Sequence, residues 1–320
     1  MRNQWILYLL FFSLLHCAGN TDLLDSDYST VEGRIAFVGP GDFTSFKIFV
    51  MRPDGKGLIR LTSEQGGYTN PSWSPNARRV AFASNRDAVG NFDIYIFNLE
   101  DGDIQKVVDL PGPDLGPVWS PGGGKIVFQA QKDNRDRWDI YTVNLDGTGL
   151  QNLTNSPSSD EAPDWSPDGR RIAFQSRQGQ NIDIFLMNSD GSNRVRLTDF
   201  NGVQNIHPAW SPDGTRIAFV SNRHQPQVRN QFPECEIYTM NSDGTMVRRL
   251  TLGASASVAF FSPTWSPDGQ RIAFEVRRTH ERQGGLEHRL MMINADGTDL
   301  HEVSVDMEVS APRWSPRQTE

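Results

Sequence analysis

Short apolar runs recur along the chain at a nearly fixed interval, and nothing between them has helical periodicity. Arg34-Ile35-Ala36-Phe37 is followed by related segments at 79–82, 125–128, 171–174, 216–219 and 271–274. A second apolar run trails each of these, as in Asp183-Ile184-Phe185-Leu186-Met187-Asn188 and Glu236-Ile237-Tyr238-Thr239-Met240-Asn241. Each run is four to six residues long, rich in Ile, Val, Phe and Tyr, and bounded by Gly, Pro, Asn or Asp, which predicts strands. Asp-Gly pairs such as Asp168-Gly169 supply the positive-φ turns that reverse one strand into the next.

The interval is marked by Trp-Ser-Pro, whose tryptophans are Trp73, Trp119, Trp165, Trp210, Trp265 and Trp314, spaced by 46, 46, 45, 55 and 49 residues. After each comes a turn, a strand, a second strand and a closing segment such as Arg196-Leu197-Thr198. Calling the strand that ends on the tryptophan A, and those that follow B, C and D, each repeat is a four-stranded antiparallel meander. Four strands in about 46 residues is a propeller blade. The first B-like segment has no Trp-Ser-Pro before it, and Trp314 has no B-like segment after it. Strand A at 309–314 is therefore expected to join strands B, C and D at 34–62, closing a six-bladed all-β ring without open sheet edges.

These repeats resemble those of the TolB-like propeller family, with its W-S-P-D-G-x-x-I-A-F and D-I-Y-x-M-N-x-D-G-x-x-x-R-L-T patterns. The resemblance covers residues 34–316 and implies a six-bladed propeller exported to the bacterial envelope, with an envelope partner. The N-terminal α/β domain that accompanies the propeller in TolB has no counterpart in residues 20–32, a stretch read as a short linker before a propeller at 33–317.

Composition removes some functions. A net charge of −8 gives no general nucleic-acid surface, which needs concentrated positive charge. Cys17 and Cys235 are the two cysteines, too few for a disulfide framework. Arg2 and the apolar run Trp5–Leu15 read as an export signal occupying residues 1–19, too short to span a membrane. Two endings compete: lipid attachment at Cys17, in a lipobox-like Leu14-Leu15-His16-Cys17 that lacks the usual small residue before the cysteine, or simple cleavage after Gly19. Membrane contact is expected only through such an anchor, and the chain is read as a monomer.

The tryptophans are too regular to be ligand contacts and are assigned to packing between blades. The recurring arginines Arg86, Arg177 and Arg223 are expected to hydrogen-bond near Asp93, Asp183 or Glu236. Function is expected where the repeats break. A–B and C–D turns share one face and are short. The B–C and D–A connections share the other, and there 222–235, 276–289 and 252–262 are long. Arg223, His224, Arg229, Arg277, Arg278, His280, Arg282, His288 and Arg289 gather on that face with His207. Asp114, Asp133, Asp136, Asp160 and Glu161 lie on the matching connections of earlier blades. Of these, Arg223, His224, Arg229, Arg277, Arg278, His280, Arg282, Asp160, Glu161 and His207 are expected to bind a protein, peptide or glycan.

No catalytic residue, cofactor or metal is assigned. There is no Gly-x-Ser-x-Gly elbow and no His-x-His spacing. The alternative is a metal-dependent carbohydrate lyase, because the similar repeats of oligogalacturonate lyases carry histidines and a metal, and His207, His224, His280 and His288 all fall on variable-face segments.

Overall fold

A computed structural model describes residues 33–316, except 42–44, 63–65, 89, 132–136, 225–233, 256 and 280–285. The expected sites at Cys17, Arg229, His280 and Arg282, with Asp133 and Asp136, lie outside the described residues. No helix occurs among the described residues, and none is long and apolar enough to cross a membrane.

Six four-stranded antiparallel sheets form the six blades. Blade 1 combines Ile35–Arg60 with Ser310–Trp314, the C-terminal strand A pairing with strand B through Ile35↔Trp314 and Ala36↔Arg313. The ring is closed as the incomplete end repeats require. Blades 2 to 6 span Tyr68–Val108, Asp114–Asn152, Ser159–Arg196, Asn205–Arg249 and Val258–Glu302.

Strand B lies between neighbouring sheets and is buried on both faces. In blade 4, Ile172, Ala173 and Phe174 are all 0% exposed. Ile172 and Phe174 pack with Trp165, Val127 and Ile140 toward blade 3, whereas Ala173 packs with Trp210 and Ile217 of blade 5. The central Ala of Ile-Ala-Phe thus leaves room for the tryptophan of the next blade, repeated as Ala218 with Trp265 and Ala273 with Trp314. Trp73 Nε1 donates to Arg313 O at 3.2 Å and Trp265 Nε1 to Ala209 O at 3.1 Å, each reaching the preceding blade. Arg171, Arg216 and Arg271 cover Trp210, Trp265 and Trp314 at 4.9, 4.6 and 5.6 Å.

The remaining motif residues serve the backbone. In Trp-Ser-Pro-Asp-Gly, Ser166 Oγ accepts the Arg171 amide at 2.9 Å and donates to Asp168 Oδ1 at 2.5 Å, closing the turn around Gly169 at φ 69°. The Asp or Glu opening strand C binds strand D thirteen to fifteen residues later. Asp183 takes Arg196 at 2.6 Å and Thr198 at 2.8 Å, and Glu236 takes Arg249 at 2.6 Å and the Thr251 hydroxyl. At Asp183 and Glu236 the carboxylate is thus taken directly by a strand D arginine. Arg223 instead bonds Asn205 Oδ1 at 2.8 Å and Ser221 Oγ at 3.2 Å, and Lys106 takes Asp93 at 2.9 Å. The strand D cation wins because its antiparallel partner already lies beside the carboxylate.

Two expected loops are strand. In blade 6, strands B and C run Arg271–Thr279 and Leu286–Asn294, pairing Arg277↔His288 and Arg278↔Glu287. Strand A there begins at Val258, so the connection from Leu252 is shorter than its sequence suggested. Cross-strand pairs between these polar residues extend the ladder past the apolar core.

Candidate functional site

Strand A is innermost, and in every blade its ladder to strand B shifts two to four residues before the tryptophan. The displaced residue precedes a proline and adopts a positive φ: Asn70 51°, Gly116 62°, Ala162 50°, His207 52°, Ser262 52° and Ala311 47°. Such a bulge turns the residue out of the sheet, here toward the ring axis. The freed amides are caught by the preceding blade. Ala162 N donates to Gln129 Oε1 at 2.7 Å, His207 N to Gln175 Oε1 at 3.0 Å, and Ala311 N to Glu275 Oε2 at 3.2 Å. Gln129, Gln175 and Glu275 all directly follow the strand B phenylalanine.

The six bulges enclose an axial cavity of about 240 Å³, lined also by Gln129, Glu161, Gln175 and Arg313. His207 is therefore part of the channel wall and not of a surface loop. Its Nδ1 is buried without a hydrogen-bond partner among the described residues. Burial, with Arg277 and Arg313 nearby, pushes its pKa down to about 4, so the ring is neutral at pH 7. Glu161 lies beside it, accepting from Ser159 Oγ at 2.9 Å and Gln175 Nε2 at 3.4 Å.

The other expected binding residues have mostly internal partners. Asp160 is fully buried and held by both nitrogens of Arg194, at 3.0 and 2.8 Å. That guanidinium crosses the blade over Phe174 and Phe185 at 4.9 and 4.7 Å. Arg223 lies 5.1 Å from each of Phe200, Phe219 and Tyr238. Arg277 stacks on Phe261 at 4.3 Å and donates to Glu275 Oε1 at 2.6 Å. His288 Nδ1 lies 2.7 Å from the same oxygen. Burial would raise the Glu275 pKa, but His288, Arg277 and the Ala311 amide outweigh it and hold it down to about 2. Arg278 faces Glu302 at 3.2 Å across half-exposed surface, and Arg289 pairs with Glu287 at 2.7 Å. Both ring nitrogens of His224 are buried without partners among the described residues, and burial lowers its pKa. The structure thus brings together Glu161 and His207 at the channel, with Arg277 close by, and among the described residues it does not assemble one basic patch from the rest.

Sequence reasoning missed Gln129, Gln175, Asp164 and Arg313. A signal was present for the last two: aligning the repeats at Trp-Ser-Pro leaves the residue between the fixed proline and the tryptophan different in each repeat, as Ser72, Val118, Asp164, Ala209, Thr264 and Arg313. Among the described residues no group of three or more His, Cys, Asp or Glu side chains is placed to hold a metal ion.

Comparison with known proteins agrees with this geometry. A TolB beta propeller domain model matches residues 26–318. TolB from Acinetobacter baumannii is similar in structure, at 24% identity and TM-score 0.70 over 89% of this chain and 67% of that one. A putative TolB from Agrobacterium tumefaciens gives 20% identity and TM-score 0.67 over 89% and 98% of the two chains. An oligogalacturonate lyase in complex with manganese shares the fold at 16% identity and TM-score 0.58, over 85% and 74%. No curated protein matches the sequence. With the family model spanning the whole closed ring, the chain belongs to the TolB beta propeller domain family.

Proposed function

We propose that the chain is a non-catalytic binding propeller of the bacterial cell envelope, receiving a protein, peptide or glycan partner at its variable face and the channel mouth that opens there. The observation that carries this reading is where the repeat breaks. Proline and tryptophan recur identically in all six strands A, while no two blades share the same pair of residues before the proline: Thr69-Asn70, Leu115-Gly116, Glu161-Ala162, Ile206-His207, Phe261-Ser262 and Ser310-Ala311. A scaffold that keeps its frame constant and varies the axial lining suits recognition. The cavity of about 240 Å³ admits a protruding loop, a peptide end or a sugar ring, not a folded domain. Export, with either a lipid at Cys17 or cleavage after Gly19, would bring the propeller to that compartment as a monomer.

Arg277 is a poor probe, because a carboxylate there would face the buried Glu275. The test therefore uses Glu161→Gln with His207→Asn, which keeps a residue tolerant of positive φ. Mature protein should capture a discrete partner from solubilised envelopes, and the double variant should lose it at an unchanged melting temperature. Equal capture by both would remove the channel mouth from the reading.

A further inference from the structure

The opposite mouth, on the short-turn face, is built differently. All six Trp-Ser-Pro tryptophans, and the prolines that follow them, line a cavity of about 390 Å³ there. Its floor is the ring of residues immediately before each tryptophan: Ser72, Val118, Asp164, Ala209, Thr264 and Arg313. Four are neutral, and the other two carry opposite charges. Asp164 belongs to blade 4 and Arg313 to blade 1, three places apart in a ring of six, so they face each other across the axis.

Neither charge is neutralised by a direct partner. No ion pair within 4.0 Å joins them or takes either one among the described residues. One oxygen of Asp164, Oδ2, accepts the Trp210 amide at 2.7 Å, leaving the second oxygen. The Arg313 guanidinium has no hydrogen-bonded side-chain or backbone partner among the described residues, while the Arg313 carbonyl accepts from Trp73 Nε1. Half-buried charges held apart in an apolar funnel are costly unless something completes them.

We propose that this mouth binds a small zwitterion, namely a short peptide with both ends free. Its ammonium pairs with Asp164, its carboxylate takes the planar guanidinium of Arg313, and its apolar side chains rest on the tryptophan and proline ring. A guanidinium matches a carboxylate with two parallel hydrogen bonds, and a carboxylate is the natural acceptor for an ammonium. The aromatic wall supplies contact area for apolar side chains. Burial raises the Asp164 pKa to about 6, offset by Arg313 and the Trp210 amide, so the acid is still mostly ionised at pH 7. The site lies at the other end of the channel from the mouth assigned to the envelope partner, so either assignment can fail alone.

Tryptophan fluorescence of the mature protein, titrated with leucine, leucyl-leucine and leucyl-glycyl-leucine, tests this directly. At least one free-ended compound should bind, and its N-acetylated and C-amidated forms should each bind about tenfold or more weakly, the expected loss of a charge-assisted contact. Asp164→Asn, which keeps an acceptor for the Trp210 amide, should abolish discrimination against the acetylated form alone. Arg313→Gln should abolish discrimination against the amide alone. Failure of the whole series to bind, or blocked forms binding as well as the free one, overturns the proposal without reliance on any variant.

Discussion

Asp114 offers the sharpest test of how this ring tolerates charge. It occupies the place in blade 3 that Asp160 occupies in blade 4, but Leu150 stands where Arg194 would reach over the blade to neutralise it. Asp114 is fully buried and, among the described residues, its Oδ1 has no partner and Oδ2 accepts only the Leu110 amide at 3.2 Å. Burial first, then Asp93 and Asp109, push its pKa up to about 8 from 3.8. The folded protein therefore keeps a proton that the unfolded chain releases. Stability contributed by this group is full below pH 3.8 and declines as pH rises toward 8, at about 1.4 kcal/mol per pH unit. Between pH 4 and pH 7 that amounts to about 4 kcal/mol. Asp114→Asn keeps the shape and the acceptor but does not titrate. Urea unfolding of both proteins from pH 4 to 7 should show the variant gaining on the parent by about 1.4 kcal/mol per unit, from near parity at pH 4. A difference that does not change with pH, or a variant that loses ground as pH rises, would refute the reasoning.

Glu275 should behave in the opposite sense. Held down to about 2 from 4.5, its contribution is present above pH 4.5 and lost as pH falls through 2, so Glu275→Gln should destabilise at pH 7 and converge with the parent in acid denaturation. Arg194→Leu leaves Asp160 buried and unpaired, an expected loss of about 3–5 kcal/mol in chemical denaturation, largely recovered by adding Asp160→Asn. Ala218→Leu intrudes on Trp265 at a fully buried inter-blade contact and should cost about 1–3 kcal/mol, whereas an enlarged residue at exposed Val195 should be neutral by the same assay. Deleting residues 309–320 removes strand A of blade 1 with buried Trp314, and should abolish the cooperative thermal transition, not merely lower its midpoint.

The blades were legible because every motif residue serves a local, repeated purpose. The tryptophan needs the alanine of its neighbour, the serine closes the turn, and the threonine of Arg-Leu-Thr pairs with the carboxylate opening strand C. Six copies of one local solution announce themselves in the sequence. The expected binding residues fared otherwise because side-chain charge does not reveal what it will meet. Asp160 and Arg223 read as surface charges, yet Asp160 is buried against Arg194 and Arg223 is folded onto its own blade's aromatic pair. Segments 276–279 and 286–289 read as loop because their polar residues mask a continuing strand ladder.

By itself the sequence determined the strands, their order, the number of blades and the closure of the ring, since turn chemistry and residue periodicity act between near neighbours. Only the tertiary structure decided which side chains share the axis. Glu161, Asp164, His207 and Arg313 are separated along the chain by up to 152 residues, and ring closure alone, by setting blade 1 opposite blade 4, turns them into one channel.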